Sequence, residues 1–180
     1  MTYFEHLHFG RKPGTARLSN RMNSVLRTIK DCITNRRLFP ALTLIYSSID
    51  VLGSFQNQDG YATQDSFRDW VTNYLFRVKP FPFNEYDLWG ARCGIVHTMR
   101  YDSKHGATLK TIVYGFRGYD GDIQKITDPT LQVGVYVEDL YDALKTAFCQ
   151  YLDYLEGSSD AIINTNLEKL PKYVDLIPLD

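Results

Sequence analysis

Arg92 and His97 are the two side chains in this sequence best suited to act together on a phosphodiester. They lie five positions apart in the run 86–97, YDLWGARCGIVH. An arginine stays cationic at every physiological pH and grips phosphate oxygens through parallel hydrogen bonds. A histidine titrates near neutrality and can take or give a proton. Together they can cleave or hold a phosphodiester with no metal and no cofactor. Leu88, Trp89, Ala91, Ile95 and Val96 give the run apolar faces, so a helix is predicted there. Arg100 and His105 repeat the spacing, but in a polar stretch that closes on His105 and Gly106, which reads as a turn. Context favours the first copy.

The spacing sets a geometric problem. On an ideal helix, positions five apart point about 140° away from each other. Cys93 and His97, four apart, share a face. Either Arg92 uses its length to reach His97, or two chains supply the two residues. Asp50 and Asp87 are the acids that could orient Arg92. The purely structural alternative uses the same residues: Arg92 pairs with Asp50 or Asp87 inside a bundle, and His97 caps the helix C-terminus. Cys93 with His97 has the residue types for thiol chemistry, although such a pair on one helix is more often packing. Cys93, His97 and His105 lack the fourth ligand that a structural zinc site needs.

The elements that must position these residues are read from periodicity. The 180 residues suffice for one domain with a real core, and 44% hydrophobic content with 13 Tyr and 10 Phe argues for a folded globule. Residues 1–18 carry Gly10, Pro13 and Gly14 without periodicity and read as an N-terminal arm that includes His6 and His8. Ser19 or Asn20 begins a helix to about Arg36, with Met22, Val25, Leu26, Ile29 and Ile33 as its stripe. A second, almost wholly apolar helix runs from Leu38 or Pro40 to Leu52, with Gly53 as its stop. A third starts near Thr63 and ends before Lys79 and Pro80, and the fourth carries Arg92 and His97.

Thr111–Phe116 and Leu131–Tyr136 read as two strands of an antiparallel hairpin, with 118–128 as an exposed tip. Gly115, Gly118 and Gly121 belong to that hairpin and not to a nucleotide loop. A last helix spans about Val137–Leu155, and 157–180 form an irregular C-terminal tail. The expected whole is a mostly α bundle of four to five helices, one domain over 19–156, with a small β-hairpin (about 111–136) after the motif helix. Trp70 and Trp89 sit at core positions.

Charge and cysteines bound the setting. Within 1–40, Arg11, Lys12, Arg17, Arg21, Arg27, Lys30, Arg36 and Arg37 face only Glu5 and Asp31, whereas 118–180 is acidic. A basic front attracts RNA, or the two ends neutralise each other across the fold. Cys32, Cys93 and Cys149 are odd in number and scattered, as reduced thiols in a cytoplasmic protein are. No apolar run reaches membrane-spanning length, and the start lacks a signal-peptide pattern.

The order of elements resembles the HEPN superfamily, helical domains with an Arg-x4–6-His signature found in RNase toxins and phage-defence proteins. Residues 41–52 (ALTLIYSSIDVL) look like its apolar helix with an embedded acid. Residues 67–75 (FRDWVTNYL) look like the helix that follows, and 86–92 resemble the approach to the motif arginine. The likeness covers about 38–100. It implies that Arg92 and His97 are catalytic in a metal-independent endoribonuclease leaving 2′,3′-cyclic phosphate ends, in a toxin–antitoxin or defence setting. It also implies a homodimer whose two motifs line one cleft. The alternative is a non-catalytic module that binds nucleotide, RNA or a protein partner such as an antitoxin. Where active members often carry Asn or Asp after the arginine, this chain has Cys93, and a thiol is a weak hydrogen-bond partner.

Overall fold

In a computed structural model, residues 12–100, 109–119, 123, 126 and 128–170 are described. They form six helices and a two-stranded sheet: α1 (Pro13–Thr34), α2 (Leu38–Ser54), α3 (Gln64–Trp70, continued by a π-helical turn, Val71–Leu75, and by Phe76–Val78), α4 (Glu85–Thr98), β1 (Thr111–Gly115), β2 (Gln132–Tyr136), α5 (Val137–Gly157) and α6 (Ala161–Lys169). The mostly α expectation holds.

α2 is the central helix. Ala41, Leu42, Ile45, Tyr46, Ile49 and Leu52 are buried on it, and it packs against α1, α3, α4 and α5. Each fully buried Leu or Ile of this kind contributes about 1.5–3 kcal/mol. Gly53 is not the stop that the sequence suggests. It lies inside α2, where a Cβ would come within 2.6 Å of the Ser66 carbonyl oxygen, so the glycine permits close contact with α3.

The helix α1 starts earlier than the sequence indicates, and the arm expected over 1–18 is helical from Pro13. Proline suits the first helical position, where its missing N–H would have no partner anyway. The cap comes from far along the chain: Glu156 accepts hydrogen bonds from the Lys12 amide (2.7 Å) and the Thr15 hydroxyl. Gly14 serves contact with α6, since a Cβ there would meet Leu167 at 2.8 Å. The tail expected over 157–180 is likewise wrong for Ala161–Lys169. Asp160 caps that helix by accepting from the amides of Ile162 (2.8 Å) and Ile163 (3.2 Å), and Ile163 and Leu167, one turn apart, are its buried residues along with Asn166.

The strands lie where the alternation places them, but they pair in parallel, Thr111 opposite Gln132 through Gly115 opposite Tyr136. The expected hairpin is therefore corrected. Parallel strands need a crossover of a dozen or more residues, and 116–131 supply it. β2 runs directly into α5, with Tyr136 as the N-cap position. Ile123 of the crossover lies over the sheet, where Cβ atoms at Gly115 and Gly134 would meet it at 2.8 and 2.6 Å. The two glycines are a floor for that side chain. Most of the remaining 118–128 tip lies outside the described residues. No helix among the described residues is long and apolar enough to cross a membrane.

Candidate functional site

α4 is built to hold its first turn and its last turn firmly. Asn84 and Asp87 form a reciprocal capping box, with the Asp87 amide donating to Asn84 (2.9 Å) and the Asn84 amide to Asp87 (3.1 Å). The second Asp87 oxygen accepts from the amides of Leu109 (2.7 Å) and Lys110 (2.8 Å). Asp87 is thus spent on backbone and leads the chain into β1; it does not orient Arg92. At the other end Met99 takes the left-handed conformation (φ 52°). Its amide and that of Arg100 return to the carbonyls of Ile95 (3.2 Å) and Gly94 (3.1 Å). His97 therefore sits in the last turn, exposed, beside a fixed corner. His105 lies outside the described residues.

Between these ends Leu88, Ala91 and Ile95 are buried, which leaves Arg92 at the rim of the α2–α4 contact. Asp50 stands opposite on α2. The Arg92 Nε–H and Nη2–H both donate to Asp50 Oδ2, at 3.0 and 2.7 Å. The two side chains are 15% and 14% exposed. The guanidinium also lies over the Trp89 ring, 5.0 Å from its centroid, and Trp89 meets Phe67 edge to face at 5.2 Å. Trp89 is consequently both a packing residue and a face for Arg92. Its position three before Arg92, one helical turn away, is the signal for that second role.

Arg92 and His97 meet within one chain: Nη1 lies 2.8 Å from His97 Nε2. The length of the arginine closes the 140° offset, so a second chain is not required to bring the pair together. A guanidinium has only donors, so Nε2 is the acceptor in this contact. The lone pair that a general base would use is thereby directed at Arg92.

Burial pushes the Asp50 carboxyl above the ordinary range, and the Arg92 hydrogen bonds and charge offset only part of this. Asp50 Oδ1 is buried with no hydrogen-bond partner among the described residues. Burial pulls the Arg92 guanidinium down, but Asp50 more than restores it, so it is held above its usual value. Burial also pushes the Cys93 thiol up, against the pull of Arg92. A thiol kept protonated is a poor nucleophile.

Among the described residues no cluster of three or more His, Cys, Asp or Glu side chains could hold a metal ion. Clefts of about 420 Å³ between α1 and α6 and about 400 Å³ around residues 57–63 lie elsewhere, and neither is lined by Arg92 or His97. Of the Asp50–Arg92–His97 line, the first two side chains are half-buried and the His97 ring is exposed. Comparisons with protein-family models, curated proteins and solved structures return no match.

Proposed function

We propose that this chain is a HEPN-like protein acting on RNA as a metal-independent endoribonuclease in a defence or toxin–antitoxin setting. The observation that supports it best is the 2.8 Å contact of Arg92 with an exposed His97, with Asp50 behind the arginine. In this reading a phosphate oxygen takes the Nη1–H of Arg92, and a ribose 2′-hydroxyl replaces it as donor to His97 Nε2. His97 removes the hydroxyl proton as the 2′-oxygen attacks phosphorus. Arg92 balances the charge growing on the phosphate oxygens. The P–O5′ bond breaks and the departing 5′-oxygen takes a proton from water, leaving a 2′,3′-cyclic phosphate and a 5′-hydroxyl. DNA is inert because it lacks the nucleophile. The reading includes a homodimer with α4 near its interface.

The second reading is a non-catalytic HEPN module that binds nucleotide, RNA or an antitoxin-like protein. Two observations favour it: Cys93 follows the arginine, and the base lone pair of His97 is occupied by Arg92.

Cleavage of single-stranded RNA in EDTA distinguishes the two. His97→Ala is expected to slow it about 10²–10⁴-fold, with RNA binding retained. Arg92→Ala, made together with Asp50→Asn so that no acid is stranded, is expected to lose about 10²–10³-fold. Intact RNA with the wild-type protein would leave the binding module as the surviving reading.

A further inference from the structure

We infer that the C-terminal end of α1 and the turn after it form a docking strip for single-stranded RNA, separate from Arg92 and His97; the inference rests on the RNA reading above. The basic front of the sequence divides in two in the fold. Lys12 donates to the Ser158 carbonyl at 2.9 Å and Arg17 to the Leu167 carbonyl at 3.3 Å, so the first part is spent on holding α1 in place. Elsewhere Arg68, Lys79 and Arg117 have carboxylate partners. Arg27, Lys30 and Arg37 are exposed, and among the described residues they have neither a carboxylate nor a carbonyl partner.

These cations are held on a rigid frame. Arg36 adopts a left-handed conformation (φ 53°). Its amide donates to the Ile33 carbonyl at 3.0 Å and that of Arg37 to the Cys32 carbonyl at 2.8 Å, which fixes the corner. Arg27 and Lys30 lie one turn apart on the outer face of α1, next to the exposed Asp31. From Arg27 to the end of α1 at Thr34 the helix rises about 10 Å, and the turn that carries Arg36 and Arg37 follows. At its end the Arg36 guanidinium lies 5.2 Å from the centre of the Tyr119 ring, and Tyr119 is 60% exposed. Exposed cations on the end of α1 and its turn, with an Arg36–Tyr119 pair whose ring is still 60% exposed, suit a chain that offers both phosphates and unstacked bases, which is single-stranded RNA.

The test uses the full chain carrying His97→Ala, so that the RNA stays intact, and follows anisotropy of a labelled oligouridylate as salt is raised. Arg27→Gln, Lys30→Gln and Arg37→Gln combined should lower the slope of log affinity against log salt by about 2, at 0.7 for each lost phosphate contact on a single strand. Tyr119→Ala should weaken binding about tenfold with the slope unchanged. If the triple variant does not fold by circular dichroism, each single change should lower the slope by about 0.7. An unchanged slope, with the parent still binding RNA, overturns the strip and leaves the RNA reading standing. Competition by polyglutamate as effective as by unlabelled RNA of equal charge also overturns it, in favour of an acidic protein partner. A parent that binds no RNA overturns both.

Discussion

Arg92 places two of its donors on one oxygen of Asp50 and a third on His97, so its removal has two separable consequences. One is chemical and is read by cleavage. The other is structural: Asp50 would keep a buried charge with no partner. The pair is part-buried, so removing one member costs less than for a fully buried pair, about 1–3 kcal/mol. Arg92→Ala is therefore expected to lower stability to urea by about 1–3 kcal/mol, and Arg92→Ala with Asp50→Asn to recover most of it. Equal loss in the single and double variants would show that the pair is not coupled. The Arg92–His97 pair was legible in the sequence because its residue types and apolar setting are local. Of the two acids considered, only the structure separates them. Asp50 lies on another helix and Asp87 five residues before Arg92, so spacing does not choose between them, but Asp87 is also the third helical residue after Asn84, where a capping box claims it. The amides of Leu109 and Lys110 that complete its environment come from beyond the helix, and no local pattern announces them.

Among the elements, two junctions carry testable weight. The hydroxyls of Tyr46 on α2 and Tyr114 on β1 are buried and hydrogen-bonded to each other, and burial pushes the Tyr46 phenol well above its usual value. Tyr46→Phe or Tyr114→Phe removes this buried hydrogen bond and should cost about 1–3 kcal/mol. The double change should cost much less, because no polar atom is then left unpaired. Chemical denaturation of the four proteins measures this, and additive losses would contradict it. The second junction is Asp139 at the start of α5. Burial raises its carboxyl, but hydrogen bonds and charge from Lys79 and Arg117 outweigh that and hold it below its ordinary 3.8. The folded state then binds fewer protons than the unfolded state around that pH, so the stabilisation is present above 3.8 and is lost as pH falls through the lowered value. The melting-temperature gap between wild type and Asp139→Asn should narrow as pH is taken from 6 to below 3.8; a gap constant with pH would refute the assignment. Helices α1 to α5 were largely legible because 3.6-residue stripes are a local signal. The parallel pairing was not, because alternation reports a strand and not its direction, and the direction is set by where α5 must begin. The early start of α1 was hidden for a similar reason, its cap being Glu156, far along the chain.

For the whole molecule, the question is what a second copy of the chain would add. The offset between Arg92 and His97 invites a site shared between two chains, but the two residues meet within one. The proposed homodimer therefore acts on the groove and not on the pair: it would set two such pairs along one RNA path. Around the pair lie exposed apolar side chains, Val51 next to Asp50 on α2 (44% exposed) and Met99 just past His97 (71% exposed). A specific interface buries roughly 1,000 Å² or more in total, so a lysine at either position near its centre would be left desolvated and without a partner. Val51→Lys and Met99→Lys are expected to convert a dimer to monomer in sedimentation equilibrium, to leave the circular dichroism spectrum unchanged, and to reduce RNA cleavage in parallel with the loss of dimer. Wild-type protein that sediments as a monomer while cutting RNA at full rate would remove the dimer from the proposal. The Arg92–His97 pair would then be a complete site in one chain, as its geometry already permits.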